Sequence, residues 1–445
     1  MPRQIHSIPS KRRLGVIFLF LLPSLGLLMG SFLLSFYTTL SPPELQVSDH
    51  NATQNTKDLF FHLADLTDQV LFGHQDTNFY GLDATDPDNL TIWSDWDNFT
   101  RSDVFTLTGF YPAVYGFDIF NSTTHIIPGI KAAFERGGVI TVSWHATNFV
   151  TGGSFYDTTG NVVSNILPGG SHHINFTQVL DNIAENLGNL EHLGESVPII
   201  FRPWHEYNGD WFWWCQPFCA VDEFKALYRF TVEYLRDLKG VHNFLYCISP
   251  NQPLIPFSSN MYFERYPGND VIDIFALDAY HSGESVWKES ISSSLRTIIR
   301  LAFERGKIAA FSETGLGGGL SETHIPNWYS DILLDVFLND PLLRNVAYVM
   351  VWRNANFGHF WVPYPDHNQS LGFIQFYLNE HTIFSNNLPD MYSSNPIALN
   401  YNTIAQKTLI CHNLGAFIGL VVVSGLLVTP AFLMKTFSRR ELNDE

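Results

Sequence analysis

The chain has 445 residues, of which 45% are hydrophobic and only 15% charged. That is enough apolar material for a large core and excludes disorder over most of the length. A formal net charge of −18 argues against nucleic acid as a partner. Aromatic residues reach 15%, with 11 Trp and 18 Tyr; such rings stack on the flat apolar faces of sugars when exposed and are core when buried.

The first element is LGVIFLFLLPSLGLLMGSFLLSF, Leu14 to Phe36, which carries no charge and is long enough to cross a bilayer. It exceeds the usual signal-peptide core and no A-x-A site follows, so it reads as an uncleaved anchor rather than a cleaved signal. Near the other end LGAFIGLVVVSGLLVTPAFLM, Leu414 to Met434, is of similar length. Lys435, Arg439 and Arg440 follow it, which favours a stop-transfer segment over a lipid-anchor signal. Arg3, Lys11, Arg12 and Arg13 precede the first segment. Both tails are therefore expected in the cytoplasm and the middle on the extracellular or lumenal side. Six N-x-S/T sequons, at Asn51, Asn89, Asn98, Asn121, Asn175 and Asn368, all fall between the two segments and fit that topology.

Between the segments, eight apolar runs have the length of strands: 70–75, 113–119, 139–145, 198–206, 244–251, 272–280, 308–315 and 346–354. Most are continuous rather than alternating, as expected for strands covered on both faces. Helical patterns separate several of them, most clearly at 129–138, 223–240, 294–307 and 329–338. The order predicts an α/β fold, a (β/α)8 TIM barrel flanked by N- and C-terminal transmembrane helices. An open doubly wound sheet is the alternative, but no G-x-G-x-x-G follows the first run. The expected organisation is a cytoplasmic tail (1–13), an anchor (14–37), a linker (38–56), the barrel (57–385), a second linker (386–411), a transmembrane helix (412–434) and a tail (435–445). Residues 150–170, rich in Gly, Ser and Thr, read as a long loop after the third strand.

In such a barrel the C-terminal strand ends share one mouth, and there the active site lies. The first run ends in His74 and Gln75, the third in His145, and the fourth in Trp204, His205 and Glu206. The sixth ends in Asp278 and Tyr280, the seventh in Glu313, and the eighth in Trp352 and Arg353. Glu206 and Glu313, on strands across the mouth from each other, are the candidate catalytic pair. One carboxyl can protonate a leaving glycosidic oxygen and the other attack the anomeric carbon, with retention when the two lie ~5–5.5 Å apart. Each acid alone has an ordinary structural use, Glu206 as a partner of Arg202 and Glu313 as a helix cap. Apolar walls, to which Trp204 and Trp211 can contribute, would keep the acid protonated.

Trp211, Trp214, Tyr280 and Trp352 are candidate stacking platforms, whereas Phe212 and Trp213 read as core. His74, His145 and His205 lack metal-site spacing, so hydrogen bonding to sugar hydroxyls, or simple burial, is their expected use and no metal is assigned. Arg353 can bind a hydroxyl, orient a carboxylate or pair at the rim. The run Asp83, Asp86, Asp88, Asp95 and Asp97 lacks calcium-loop spacing and reads as a solvated loop. Cys215 and Cys219 in WWCQPFC can form a local disulfide or stay as buried thiols, Cys247 lies in FLYCISP, and Cys411 lies beside the second apolar segment.

The motifs FGHQ, SWH, RPWHEYNGDWFWW, DAYH, SETG and WRN, spread over roughly residues 57–385, resemble those of glycoside hydrolase family 26, best known for β-mannanases. The resemblance implies a (β/α)8 barrel and a retaining mechanism, with Glu206 as acid/base and Glu313 as nucleophile. It implies that His205 and Trp211 surround the reacting sugar. His145, Trp352 and Arg353 would hold sugars toward the non-reducing end, with Tyr280 beside the nucleophile and Asp278 near it. His74 and Gln75 complete the expected substrate-binding set. Family members often carry Met where this chain has Tyr207, and the two apolar segments are not typical of secreted members. The expected function is a membrane-anchored retaining endo-β-1,4-mannanase that needs no cofactor. The alternatives are hydrolysis of β-1,3-xylan or mixed-linkage β-glucan, and a non-catalytic carbohydrate-binding protein.

Overall fold

The computed structural model describes residues 44–394, except 87–89, 121, 254 and 322–324. Both apolar segments, their basic tails, Cys411, Asp88, Asn89 and Asn121 lie outside the described residues. Among the described residues no helix is long and apolar enough to cross a membrane.

Eight parallel strands close into a barrel: β1 (Val70–Gln75), β2 (Val114–Ile119), β3 (Val139–Trp144), β4 (Ile199–Pro203), β5 (Phe244–Ile248), β6 (Ile274–His281), β7 (Ile308–Leu316) and β8 (Val346–Val351). Each pairs with the next in sequence, and β8 pairs back to β1 through Leu71↔Tyr348 and His74↔Val351. All eight expected runs are strands. The sequence shows few polar breaks in them because both faces are covered, one by the barrel interior and one by helices. Within β4, Ile200 joins the inner cluster while Ile199 and Phe201 join the outer one. In β6, Ile274 and Ala276 are inner, and Phe275 and Leu277 outer. This period-two alternation decides which polar side chains reach the lumen. Gln75 and Met350 fill that lumen so closely at Gly116 that a Cβ there would strike both.

The outer layer is helical. Val221–Glu233 buries Phe224, Leu227, Tyr228, Thr231 and Val232, spaced as one apolar stripe. Its first turn is closed by Glu223, which accepts the Ala220 backbone N–H at 2.9 Å. Ile127–Glu135, His173–Asn186, Trp287–Phe303 and Ser370–Tyr377 complete much of the layer.

The domain is larger than its expected limits. The helix Gln54–Asp65 starts inside the expected first linker and buries Leu59, Phe60 and Leu63 in the inner cluster, with Val47 and Ala52 beside them. Ser48 donates its backbone N–H and its hydroxyl to buried Asp273 at 2.5 and 2.9 Å. At the other boundary Leu388, Met391 and Tyr392 pack on the same cluster, and the Tyr392 hydroxyl donates to the Gly138 carbonyl at 2.7 Å. Residues 44–56 and 386–394 therefore belong to the packed domain, because polar anchors fix their few apolar side chains on it.

The acidic stretch after β1 is not merely a solvated loop. Tyr80–Asp83 and Thr91–Ser94 form an antiparallel hairpin, and buried Asp95 accepts backbone N–H groups of Asn98, Thr100 and Arg101. The 150–170 segment is a loop that includes one short helix, Val162–Ile166.

Candidate active site

The stretch FRPWHEYNGDWFWW begins as β4 and leaves the barrel through a turn. Trp204 and Glu206 both have left-handed backbone, φ 54° and 53°, a conformation that costs a side-chain-bearing residue about 1–3 kcal/mol. Hydrogen bonds over-determine it. The Glu206 N–H donates to the Ser249 carbonyl at the end of β5 at 2.7 Å. The Glu206 carbonyl accepts from Gly209 N–H at 2.9 Å and from the Cys215 thiol at 3.3 Å. The Trp214 indole N–H donates to the His205 carbonyl at 2.8 Å. The turn thereby fixes where the Glu206 side chain leaves the backbone.

This explains the tryptophans. Trp204, Trp213 and Trp214 are fully buried and pack edge-on to one another. Trp204 and Trp214, expected as a wall and a platform, instead form the support beneath the turn, because the left-handed step at Trp204 carries its ring away from the mouth to Thr231. Trp213 and Phe212 are buried as expected. Trp211 alone of the three in WFWW stays partly exposed, and its indole N–H donates to Glu206 Oε2 at 2.8 Å. Cys215 and Cys219 are separate buried thiols, not a disulfide.

Across the lumen, Arg202 shares the inward face of β4 with Ile200 and is fully buried. It does not pair with Glu206. Its Nη2 pairs with Glu313 Oε1 and its Nη1 with Asp278 Oδ2, the latter at 2.9 Å. Tyr280 donates its hydroxyl to the other oxygen of Glu313 at 2.9 Å. Asp278 accepts further from Ser249 and Ser312 at 2.7 and 2.6 Å. A register shift after Leu277 sets Asp278 opposite Glu313, so both carboxyls meet the one guanidinium.

Three carboxyls thus feel one cation, which pairs with two of them, and the electrostatics separate them. Burial, then the charges of Glu313 and Asp278, raise the Glu206 carboxyl well above the usual carboxylate range. Trp211 and Arg202 pull it only part of the way back. Burial also raises Asp278, to about 7, against the pull of Arg202. Burial and the adjacent carboxylates push the Tyr280 hydroxyl well up, so it remains a donor. A carboxyl raised in this way and a second one held by a guanidinium can supply the acid and the nucleophile that glycosidic cleavage requires. With Trp211 N–H on Oε2, Oε1 is the oxygen that can carry a proton.

A second polar group lies toward β1, β2, β3 and β8. His145 donates backbone N–H and ring Nδ1–H to the two oxygens of Asp118 at 3.2 and 2.5 Å. Its Nε2 is 3.2 Å from His205 Nε2, and the basicity of His205 is lowered by burial and by Arg202. The Trp352 ring is 5.9 Å from that of His145. Arg353 donates to the Tyr80 hydroxyl at 3.2 Å, and Tyr80 donates to Asp76. The structure therefore brings Glu206, Glu313, Asp278, Tyr280, Trp211, His205, His145, Trp352 and Arg353 to one mouth.

It does not bring His74 there. His74 alternates with Val70 and Phe72 on the outward face of β1, is buried, and bonds Thr77 at 2.9 Å. Of the three histidines weighed together, only His145 and His205 meet. Gln75 faces inward but is buried in the lumen beneath the rim. Asp76, Tyr80, Asp118 and Phe155, whose ring lies 4.7 Å from His145, are site residues that the sequence reading missed. Asp118 sits within a strand run, and its position at the C-terminal end of β2 was the available signal.

Residues 48–317 match the model of glycosyl hydrolase family 26. The chain belongs to that family. A curated mannan endo-1,4-beta-mannosidase of Bifidobacterium adolescentis is 34% identical over 339 residues, covering 71% of this chain and 32% of that protein. One from Bacillus subtilis is 28% identical over 293 residues, covering 61% of this chain and 74% of that protein. The chain thus spans about a third of the length of the Bifidobacterium relative. Among solved structures, the catalytic domain of a family 26 endo-beta-1,4-mannanase from Bacillus sp. JAMB-750 superposes with TM-score 0.73 at 36% identity, covering 81% of this chain and 98% of that one. A modular endo-beta-1,4-mannanase from Cellulomonas fimi gives 0.72 at 36%, covering 78% and 79%. The eight-stranded parallel barrel with its helices is the architecture that this family 26 chain shares with them.

Proposed function

We propose that this family 26 protein is a retaining endo-β-1,4-mannanase. The observation that carries the reading is the division of labour between two carboxyls: Glu313 clasped by Arg202 and Tyr280, and Glu206 raised beside it with, among the described residues, only Trp211 as a side-chain donor. The mannosidase names of the relatives point to mannan as the polymer.

In the first step a Glu313 oxygen attacks the anomeric carbon, and the C–O bond to the leaving sugar breaks. The Glu206 Oε1 proton passes to the departing oxygen. In the second step Glu206, now a carboxylate, takes a proton from water, and that water's oxygen displaces Glu313 from the anomeric carbon. Tyr280 and Arg202 steady the nucleophile's charge before attack and after release. His205 and Trp211 flank the reacting sugar. Arg353, Trp352 and His145 hold sugars on the non-reducing side. Removing the Tyr280 hydroxyl by Tyr280→Phe is expected to lower kcat on mannan on the order of 10²-fold with little change in melting temperature. An unchanged kcat would deny Tyr280 that role.

The experiment for the function incubates the full chain, solubilised in detergent, with β-mannan, β-1,3-xylan and mixed-linkage β-glucan, and counts reducing ends. Cleavage of mannan supports the reading. Cleavage of another glycan alone moves the substrate, and glycan binding without cleavage makes the protein a binding module.

We further propose that the apolar segments 14–36 and 414–434 anchor the enzyme, with the barrel extracellular or lumenal. The basic flanks and the exposure of Asn51, Asn98, Asn175 and Asn368 support this. The protein expressed in a eukaryotic secretory system should resist alkaline carbonate extraction and gain electrophoretic mobility on enzymatic removal of N-glycans. Release by carbonate, or unchanged mobility, would contradict the arrangement.

A further inference from the structure

The aromatic surface of the mouth does not stop at Trp352 and Arg353. Trp96, on the long connection after β1, is 47% exposed, unusually open for an indole. Phe79 stacks on one of its faces at 4.6 Å and 14°, and Phe79 is buried, so the other face is the open one. Exposed His125, from the connection after β2, flanks the ring at 6.3 Å. Tyr80 flanks it at 6.4 Å.

The ring is held in place. Asp95 caps the turn that follows by accepting three backbone N–H groups. Its own N–H donates to the Phe79 carbonyl at 2.8 Å. The hairpin before Trp96 is tied by Asp103, which accepts from Leu82 N–H, from Trp93 Nε1–H at 2.7 Å and from Asn354 Nδ2–H at 2.7 Å. Asn354 follows Arg353 directly, so the Trp96 support is bonded to the loop that carries the sugar-binding pair. From Trp96 the surface runs through Tyr80 to Arg353 and Asp76, then past Trp352 to His145 and His205. It ends beside Glu206.

We propose that Trp96 is a distal sugar-stacking platform that extends the cleft on the Arg353 side and takes a mannosyl unit of a long β-mannan chain. The inference rests on the mannanase reading. A β-mannopyranose carries the axial C–H bonds of C1, C3 and C5 on one face, an apolar patch that fits an open indole. Its equatorial hydroxyls then point sideways, toward His125 and Tyr80, while the axial 2-hydroxyl points away from the ring. A preformed ring costs little ordering on binding, and its distance from the reacting bond confines its effect to long substrates.

The test compares Trp96→Ala with the unsubstituted chain on mannooligosaccharides from mannotriose to mannohexaose and on mannan. Both carry Asn98→Gln, so that no glycan on the next residue but one shares the ring. KM for the longest chains and the polymer should rise about three- to tenfold, with kcat and the short-chain values unchanged. Trp96→Phe should restore most of the loss, while Trp96→Leu, which still packs on Phe79 but has no flat face, should not. This pair decides the matter if the alanine variant fails to fold. Equal KM at every length, or Trp96→Leu matching Trp96→Phe, would overturn the platform. An unsubstituted chain that cleaves no mannan would overturn the mannanase reading instead.

Discussion

Replacing Glu313 with alanine is expected to lower mannan cleavage by about 10⁴-fold or more, because the covalent route loses its nucleophile and no neighbour replaces it. Asp278 is committed to Arg202, Ser249 and Ser312, and in the proposed mechanism Glu206 is needed as the acid. Alanine also strips buried Arg202 of one of its two carboxylates, and loss of a buried partner costs about 3–5 kcal/mol. Glu313→Gln keeps the shape and separates chemistry from folding: it should be as inactive as alanine but melt closer to the unsubstituted protein. Added azide gives the sharper reading. With an activated aryl β-mannoside, the alanine variant should form α-mannosyl azide, since azide then attacks from the face that Glu313 has vacated. Activity within tenfold of the unsubstituted protein, or β-azide as product, would deny Glu313 this role.

Glu206→Ala should show a different signature. Mannan cleavage falls by about 10³-fold, the usual worth of a positioned acid. An aryl mannoside with a good leaving group still reacts in the first step, since it needs no proton. Azide should then restore turnover and give the β-azide. The pH profile carries the same information. The first step requires protonated Glu206, so kcat/KM falls as pH rises through its raised pKa. In Glu206→Ala that alkaline limb should disappear with the activated substrate. Persistence of the limb would assign it to another group.

What the sequence made legible follows from where the chain is regular. The eight strands stood out because each is covered on both faces and so stays apolar throughout, as in Val346–Val351. Glu206, Glu313, Tyr280 and Arg353 stood out because each stands at the C-terminal end of such a run, and strand ends of a parallel barrel converge. The helix His173–Asn186 was missed although Phe176, Leu180 and Ile183 follow a helical period, since Gly and polar residues before it read as loop. The limits of the domain were missed because Val47 and Met391 are isolated apolar side chains whose burial depends on distant partners. His74 and Trp214 were given to the mouth because a pattern of strand ends does not say which face each residue takes. At His74 the period-two alternation would have said so; at Trp214 the left-handed backbone of Trp204 and Glu206 decides, and no residue type there announces it. The pairing of Arg202 with Glu313 rather than its near neighbour Glu206 is likewise a product of closure, not of spacing.

In the proposed function Glu206 and Glu313 cleave β-mannan by double displacement. The most direct measurement follows the anomeric protons of the products by NMR during the first minutes of mannan hydrolysis by the full chain. The β-anomer of the new reducing end should appear first and the α-anomer only later by mutarotation, with neither formed by the Glu313→Gln variant. An α-anomer formed first, or mannan left uncut by the folded protein, would contradict it.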